Sequence, residues 1–120
     1  MQPGSFFTAA LSLALVLAGT ARGAELAEEL IQKGDVFYDK LQAADALKFY
    51  LPAEKLEPEN VRLLVRISRE YRHLMSDASK PEEKLALGNT AVSYAERAVA
   101  LAPDKTALPV TSSPVTITVR

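Results

Sequence analysis

From Ala24 to Ala102, apolar residues recur at the three- and four-residue intervals of a helix rather than at the alternation of a strand. Leu26, Leu30, Phe37 and Leu41 form one such stripe, which predicts a helix ending near Gln42. A second helix is expected from about Ala43 to Glu57, with Ala46, Leu47, Tyr50, Ala53 and Leu56 on its buried side. Pro52 lies inside it, where the missing amide and the clash of the ring with the preceding turn predict a kink. Glu57-Pro58-Glu59-Asn60 stops that helix. A third then runs from Val61 to about Met75 and carries Leu64, Ile67, Tyr71 and Leu74 inward. Ser76 to Lys80 reads as a loop, and Ser79-Lys80-Pro81-Glu82 has the form of a capping box that would open a fourth helix. That helix extends to Leu101, and Pro103 ends it. The expected fold class is all-α, with antiparallel helical hairpins stacked as a short solenoid.

The two ends read differently. Phe6 to Ala18 is an almost uncharged apolar run, and Ala21-Arg22-Gly23 offers small residues at the two positions a signal peptidase inspects, so residues 1–23 are expected to be a signal peptide cut after Gly23. The start lacks the usual Lys or Arg, which leaves an uncleaved N-terminal anchor as the alternative. The run is short for a membrane span: at about 1.5 Å per residue it covers roughly two-thirds of a ~30 Å hydrocarbon core. At the other end Pro109, Pro114 and the β-branched run Val115-Thr116-Ile117-Thr118-Val119 forbid a further helix, so 104–120 is expected to be an irregular tail.

Composition narrows the function classes. The chain has 120 residues, no Cys and no Trp, and its 14 Lys+Arg against 15 Asp+Glu supply no large field to draw it onto nucleic acid or an anionic membrane. Without Cys there is no disulfide framework, thiol chemistry or cysteine-ligated metal, and the apolar run cannot belong to a bacterial-type lipoprotein. His73 is the only imidazole and has no second His at metal-ligand spacing. Ser68, His73 and Asp77 stand too close in sequence to converge as a catalytic triad, and Asp35 with Asp39 would be an acid/base pair only in an enclosed cleft. The five glycines are scattered, so no phosphate loop exists. The residues point away from an enzyme and call for no cofactor or metal.

Internal repetition is more informative. Gly34, Phe37, Ala46, Tyr50, Ala53 and Pro58 stand at the intervals of a tetratricopeptide repeat, with Leu30 where a large apolar residue usually lies and Lys33 where the pattern usually has Leu. The spacing has a steric basis: Gly34 and Ala46 let two antiparallel helices approach at small side chains, Phe37 and Tyr50 fill the seam, and Pro58 ends the second helix. Leu64, Ile67, Ser68 and Tyr71 repeat the first-helix spacing from Val61 onward, and Ala91, Ala98 and Pro103 repeat the second. Pro58 and Pro103 are 45 positions apart, against about 34 in an ordinary repeat, so about 11 residues are inserted around Ser76 to Gly88. On these positions residues 24–103 resemble a two-repeat tetratricopeptide domain whose second repeat is lengthened. That lengthened repeat, with Val61-Arg62-Leu63-Leu64-Val65-Arg66-Ile67-Ser68-Arg69 and then Glu82-Glu83-Lys84 ahead of Tyr94-Ala95-Glu96-Arg97-Ala98, is similar to the regulator of microtubule dynamics family over about Ala27 to Pro103. The resemblance implies a helical repeat protein engaged in microtubule association or in contacts between organelles.

Arg62, Arg66, Arg69, Arg72 and His73 form the one cluster with chemical content. On a helix Arg62, Arg69, Arg72 and His73 project to one side of the apolar stripe, the side that lines the concave groove in tetratricopeptide repeats. Glu28, Asp35, Tyr38 and Asp39 take the equivalent places one repeat earlier, so an acidic helix is expected to face a basic one. Two readings follow. The charges pair across the stack, Arg69 and Arg72 with Asp35 and Asp39, each exposed pair contributing ~0.2–1 kcal/mol; or the arginine forks receive carboxylates of a partner peptide. The candidate groove is thus Asp35, Tyr38, Asp39, Arg62, Arg69, Arg72 and His73. The leading functional expectation is an exported, non-enzymatic module that binds a protein or peptide there. The alternative is a cytoplasmic or membrane-anchored microtubule-associated protein that retains residues 1–23. Two repeats also leave one apolar solenoid face open, which allows self-association.

Overall fold

A computed structural model describes the backbone of residues 4–102 and the side chains of residues 21–102. Four helices follow one another: α1 (Gly4–Asp39), α2 (Ala43–Leu56), α3 (Val61–Asp77) and α4 (Pro81–Leu101), with no strand among the described residues. The fold is all-α. Turns of three or four residues fold successive helices back on one another, so that α1 packs on α2, α2 on α3 and α3 on α4. Helix α1 passes through Gly23 without a break. Pro103 and the expected tail 104–120 lie outside the described residues.

The helix ends show where local chemistry was legible. Asn60 caps α3 by accepting the Leu63 amide at 3.1 Å on its side-chain oxygen. The expected capping box at Ser79 does not form: α4 begins at Pro81, which places Lys80 at the cap with no side-chain bond to the first turn. Proline, with its preset φ and no amide to satisfy, takes the first helical position and shifts the cap onto a residue that cannot accept. Helix α1 stops three residues before Gln42, because Leu41 turns into the left-handed region at φ 59°. The Gln42 and Leu41 amides then bond back to the Phe37 and Tyr38 carbonyls, a Schellman motif without its usual glycine.

Leu30 and Phe37 of the expected stripe of α1 pack, partly buried, against the core, but its buried face is rotated away from the other two residues. Leu26 is 52% exposed and Leu41, out in the turn, 83% exposed, whereas Ala27, Ile31 and Gly34 are buried. Small residues decide this rotation. The Tyr50 ring lies directly against Gly34, where a Cβ would stand 2.6 Å from Cδ1 of that ring. Ala46 and Ala53 are fully buried along the same seam, and their register partners Ala91 and Ala98 are buried in the second hairpin. Ile31, Leu47, Tyr50, Leu63 and Ile67 fill the cluster where α3 meets the first hairpin; burying each such aliphatic side chain contributes about 1.5–3 kcal/mol. Leu56, expected inside, is exposed at the end of α2, and Leu63, absent from the expected stripe, is fully buried. Helix α2 continues through Pro52, which is exposed. Stacked ring pairs brace each hairpin, Phe37 on Phe49 at 5.5 Å and Tyr71 on Tyr94 at 5.8 Å.

Candidate functional site

Helix α1 brings Asp35, one residue past the close contact at Gly34, to the junction of three helices. Its carboxylate receives a two-pronged bond from Arg66 of α3, Nε to Oδ1 at 2.9 Å and Nη2 to Oδ2 at 3.2 Å, while the Tyr50 hydroxyl of α2 donates to Oδ1. Burial by itself would raise the Asp35 pKa. The bonds from Arg66 and Tyr50, with the charges of Arg66 and Arg69, outweigh it and hold the carboxyl below its ordinary 3.8. The same burial and the facing carboxylate push the Tyr50 hydroxyl well above the usual phenol range. Arg66 loses some basicity to burial and regains more from Asp35, so its pKa is raised overall.

One turn further along the same face, the Arg69 guanidinium lies over the Tyr38 ring, 3.3 Å from its centroid. Arg69 Nε donates to Glu70 at 3.1 Å. Glu70 is 1% exposed, so this charge pair is largely out of water, and Arg69 Nη2 is buried with no acceptor. His73 sits 6.5 Å from the Tyr38 ring at a tilt of 53°. The expected acidic-against-basic arrangement of α1 and α3 is therefore present, with a change of partner. Asp35 pairs with Arg66, not with Arg69, because the neighbouring helices are offset by about a turn and Arg66 meets the Asp35 level. Asp39 has no ion-pair partner among the described residues, nor have the guanidiniums of Arg62 and Arg72. Glu28 receives only a bond from Gln32 of its own helix. An open cleft of about 550 Å³ borders Arg62, Arg66 and Arg69 at the start of α3.

Two functional side chains were missing from the candidate groove. Arg66 belongs to the arginine cluster, and an opposite charge one turn short of the repeat period from Asp35 was the available signal. Glu70 falls between Ile67 and Leu74 on the apolar stripe of α3, a position at which a carboxylate must find a partner. A second polar tie lies elsewhere. Glu54 of α2 accepts from Tyr94 at 3.0 Å and from Arg97 at 2.6 Å, and Arg97 also reaches the Pro58 carbonyl at 3.2 Å, fastening α4 to α2. Burial and the Glu54 carboxylate push the Tyr94 hydroxyl up to about 12.

Among the described residues no group of His, Asp and Glu side chains could hold a metal ion, and no helix is long and apolar enough to cross a membrane. What this surface can do is bind anions: guanidiniums with unused donors stand beside an aromatic ring and an open cleft. Compared with known proteins, the chain matches no family model, no curated sequence and no solved structure.

Proposed function

We propose that the chain is a non-enzymatic protein–protein interaction module that takes a peptide along the face shared by α1 and α3, the face that the tetratricopeptide resemblance makes a concave groove. The observation that carries the reading is the surplus of basic groups left after internal pairing. Asp35 is consumed by Arg66, yet Arg62 and Arg72 keep guanidiniums without an acid partner among the described residues, beside the Arg69–Tyr38 stack. A carboxylate-bearing peptide suits them, since guanidinium forks bind carboxylates in two-pronged pairs. Export, with residues 1–23 as the leader, belongs to the same proposal and rests on the apolar run and on Ala21 and Gly23.

The test is capture from native extract by wild type and by Arg62→Ala/Arg72→Ala at low and high salt. The variant is expected to lose a specifically bound protein that wild type also loses as salt rises, with no change in the thermal melt. Equal recovery by both forms at both salt concentrations overturns the proposal.

A further inference from the structure

The second hairpin carries, uncovered, the seat in which the first hairpin holds α3. The repeat register equates α1 with α3 at a shift of about 34 and α2 with α4 at 45, the Pro58 to Pro103 interval. In the first hairpin Ile31, Leu47 and Tyr50 join Leu63 and Ile67 of α3 in one apolar cluster, Asp35 takes Arg66, and Tyr38 takes Arg69. The matching residues of the second hairpin, Val65, Arg69, Arg72, Val92 and Ala95, line a groove of about 580 Å³ between α3 and α4. No described element covers it, and Val65, Val92 and Val99 stand about half exposed along it. Gly88, Ala91 and Ala98 complete the α4 wall. Side chains this small admit the close approach of another helix.

Two differences from the filled seat define what fits the open one. Arg69 and Arg72 stand where the first hairpin has Asp35 and Tyr38, so the charge an occupant must bring is reversed: a carboxylate where α3 brings Arg66. Arg72, exposed and without an acid partner among the described residues, has donors that such a carboxylate can take. Ala95 stands where the first hairpin has Tyr50, so the groove has room for a bulky apolar side chain supplied from outside. We propose that this groove docks an amphipathic helix of a partner protein, with a large apolar residue on its buried stripe and carboxylates on the flank that meets Arg69 and Arg72.

The chain's own elements fit this description poorly. Pro109, Pro114 and the β-branched run from Val115 break the helical pattern after Ala102. The outward face of α1, which a second copy would bring, exposes Leu26 and Val36 but has Glu29 and Lys33 in a 3.5 Å ion pair between them, at the positions where α3 has Leu63 and Ile67, so its centre lacks the apolar residues that the seat takes. The groove shares Val65, Arg69 and Arg72 with the surface at α1 and the start of α3, but its α4 wall is separate from that surface, so docking here does not rest on peptide binding there.

The probe is a fluorescent synthetic peptide of residues 61–77 with Arg62→Glu, Arg66→Glu, Arg69→Glu and Arg72→Glu. It keeps the apolar stripe that α3 presents to its own seat and reverses the charge of the flank. Titrated into the full chain and followed by anisotropy, it is expected to bind with a Kd on the order of 10–100 µM. It should bind about tenfold more tightly than the unsubstituted peptide and lose that advantage as salt rises. Arg69→Ala/Arg72→Ala in the chain should equalise the two peptides. Val92→Glu, at an exposed position and leaving the α1–α3 face untouched, should abolish binding of both, with circular dichroism reporting that the helices persist. Absence of binding, equal affinity for the two peptides, or binding that survives Val92→Glu would each overturn the proposal. So would a free chain that sediments as a Val92-dependent dimer, because a second copy would then be the occupant.

Discussion

In the first hairpin Gly34 lets the Tyr50 ring lie against α1, and α3 closes over the result; in the second, Ser68 stands at the Gly34 register and Ala95 at that of Tyr50. The Ser68 hydroxyl donates to the Ala91 carbonyl at 2.7 Å, and Tyr71 stacks on Tyr94. Both hairpins carry a stacked ring pair and a polar tie; what differs is that the first is filled by the Tyr50 ring under a covering helix, while the second leaves a groove unfilled. Their outer ends differ in the same sense. The outward face of α1 sets the Glu29–Lys33 pair between half-exposed Leu26 and Val36. The α3–α4 face instead presents Val65, Val92 and Val99. Repeat spacing dictates where helices cross; the residues at those crossings decide whether the space between them is filled.

The strongest test of this contrast pairs Leu47 with its register partner Val92. Leu47→Ala opens a cavity under α3 and should cost about 2–5 kcal/mol, whereas Val92→Ala on the open groove should stay within about 0.5 kcal/mol of wild type in a urea titration. A Val92→Ala cost comparable to that of Leu47→Ala would mean that the groove is already occupied in the free protein. The glycines give a second comparison of opposite sign. Gly34→Ala drives a methyl into the Tyr50 ring and should destabilise by about 1–3 kcal/mol. At Gly88 a new Cβ meets only the Met75 sulfur, at 2.9 Å, at the flexible end of its side chain, so Gly88→Ala should gain up to about 1 kcal/mol of helix propensity. Thermal melts of the two variants read both signs.

The smallest effect concerns the charges. Arg66→Ala strips the two-pronged bond from Asp35 and should cost about 1–2 kcal/mol at neutral pH, limited by the partial exposure of the pair, while Arg72→Ala should change stability by less than about 0.5 kcal/mol. The pH dependence has a definite sign. Asp35 titrates below 3.8 in the folded protein, so its pairing stabilises fully above that value and the contribution is lost as pH falls through the lowered pKa. The gap between wild type and Arg66→Ala should therefore be constant near neutrality and narrow in acid. A gap that persists unchanged through the acid limb would show that Arg66 acts by packing and not by charge.

Much of the architecture was legible along the chain, and the failures were specific. Helix α2 came out within a residue of its observed end and α4 ended as expected at Leu101, because Asn60 and the prolines act on the backbone beside them. The Ser79 capping box failed at close range, since Pro81 favours the first helical position over any signal two residues upstream. The left-handed turn at Leu41 that ends α1 after Asp39 carried no glycine to announce it. The opposition of an acidic α1 and a basic α3 was legible from the repeat period, but its partner was not: pairing Asp35 with Arg66 depends on the axial offset of two helices, which no periodicity encodes.

The sequence by itself therefore determined an all-helical chain, the order of its helices, the approximate bounds of α2, α3 and α4, and the small residues at which they cross, because periodicity, proline and side-chain size act locally or at fixed spacing; the start of α1, at Gly4 and not at Ala24, was not among them. Only the tertiary structure decided the rotation of α1 that buries Ile31 and exposes Leu26, the burial of Glu70 beside Arg69, and the open groove at Val92. Each of these depends on how the helices are rotated and offset against one another. That choice is set by the summed packing of Gly34, Tyr50, Leu63 and Ile67 across three helices, and no single segment contains it.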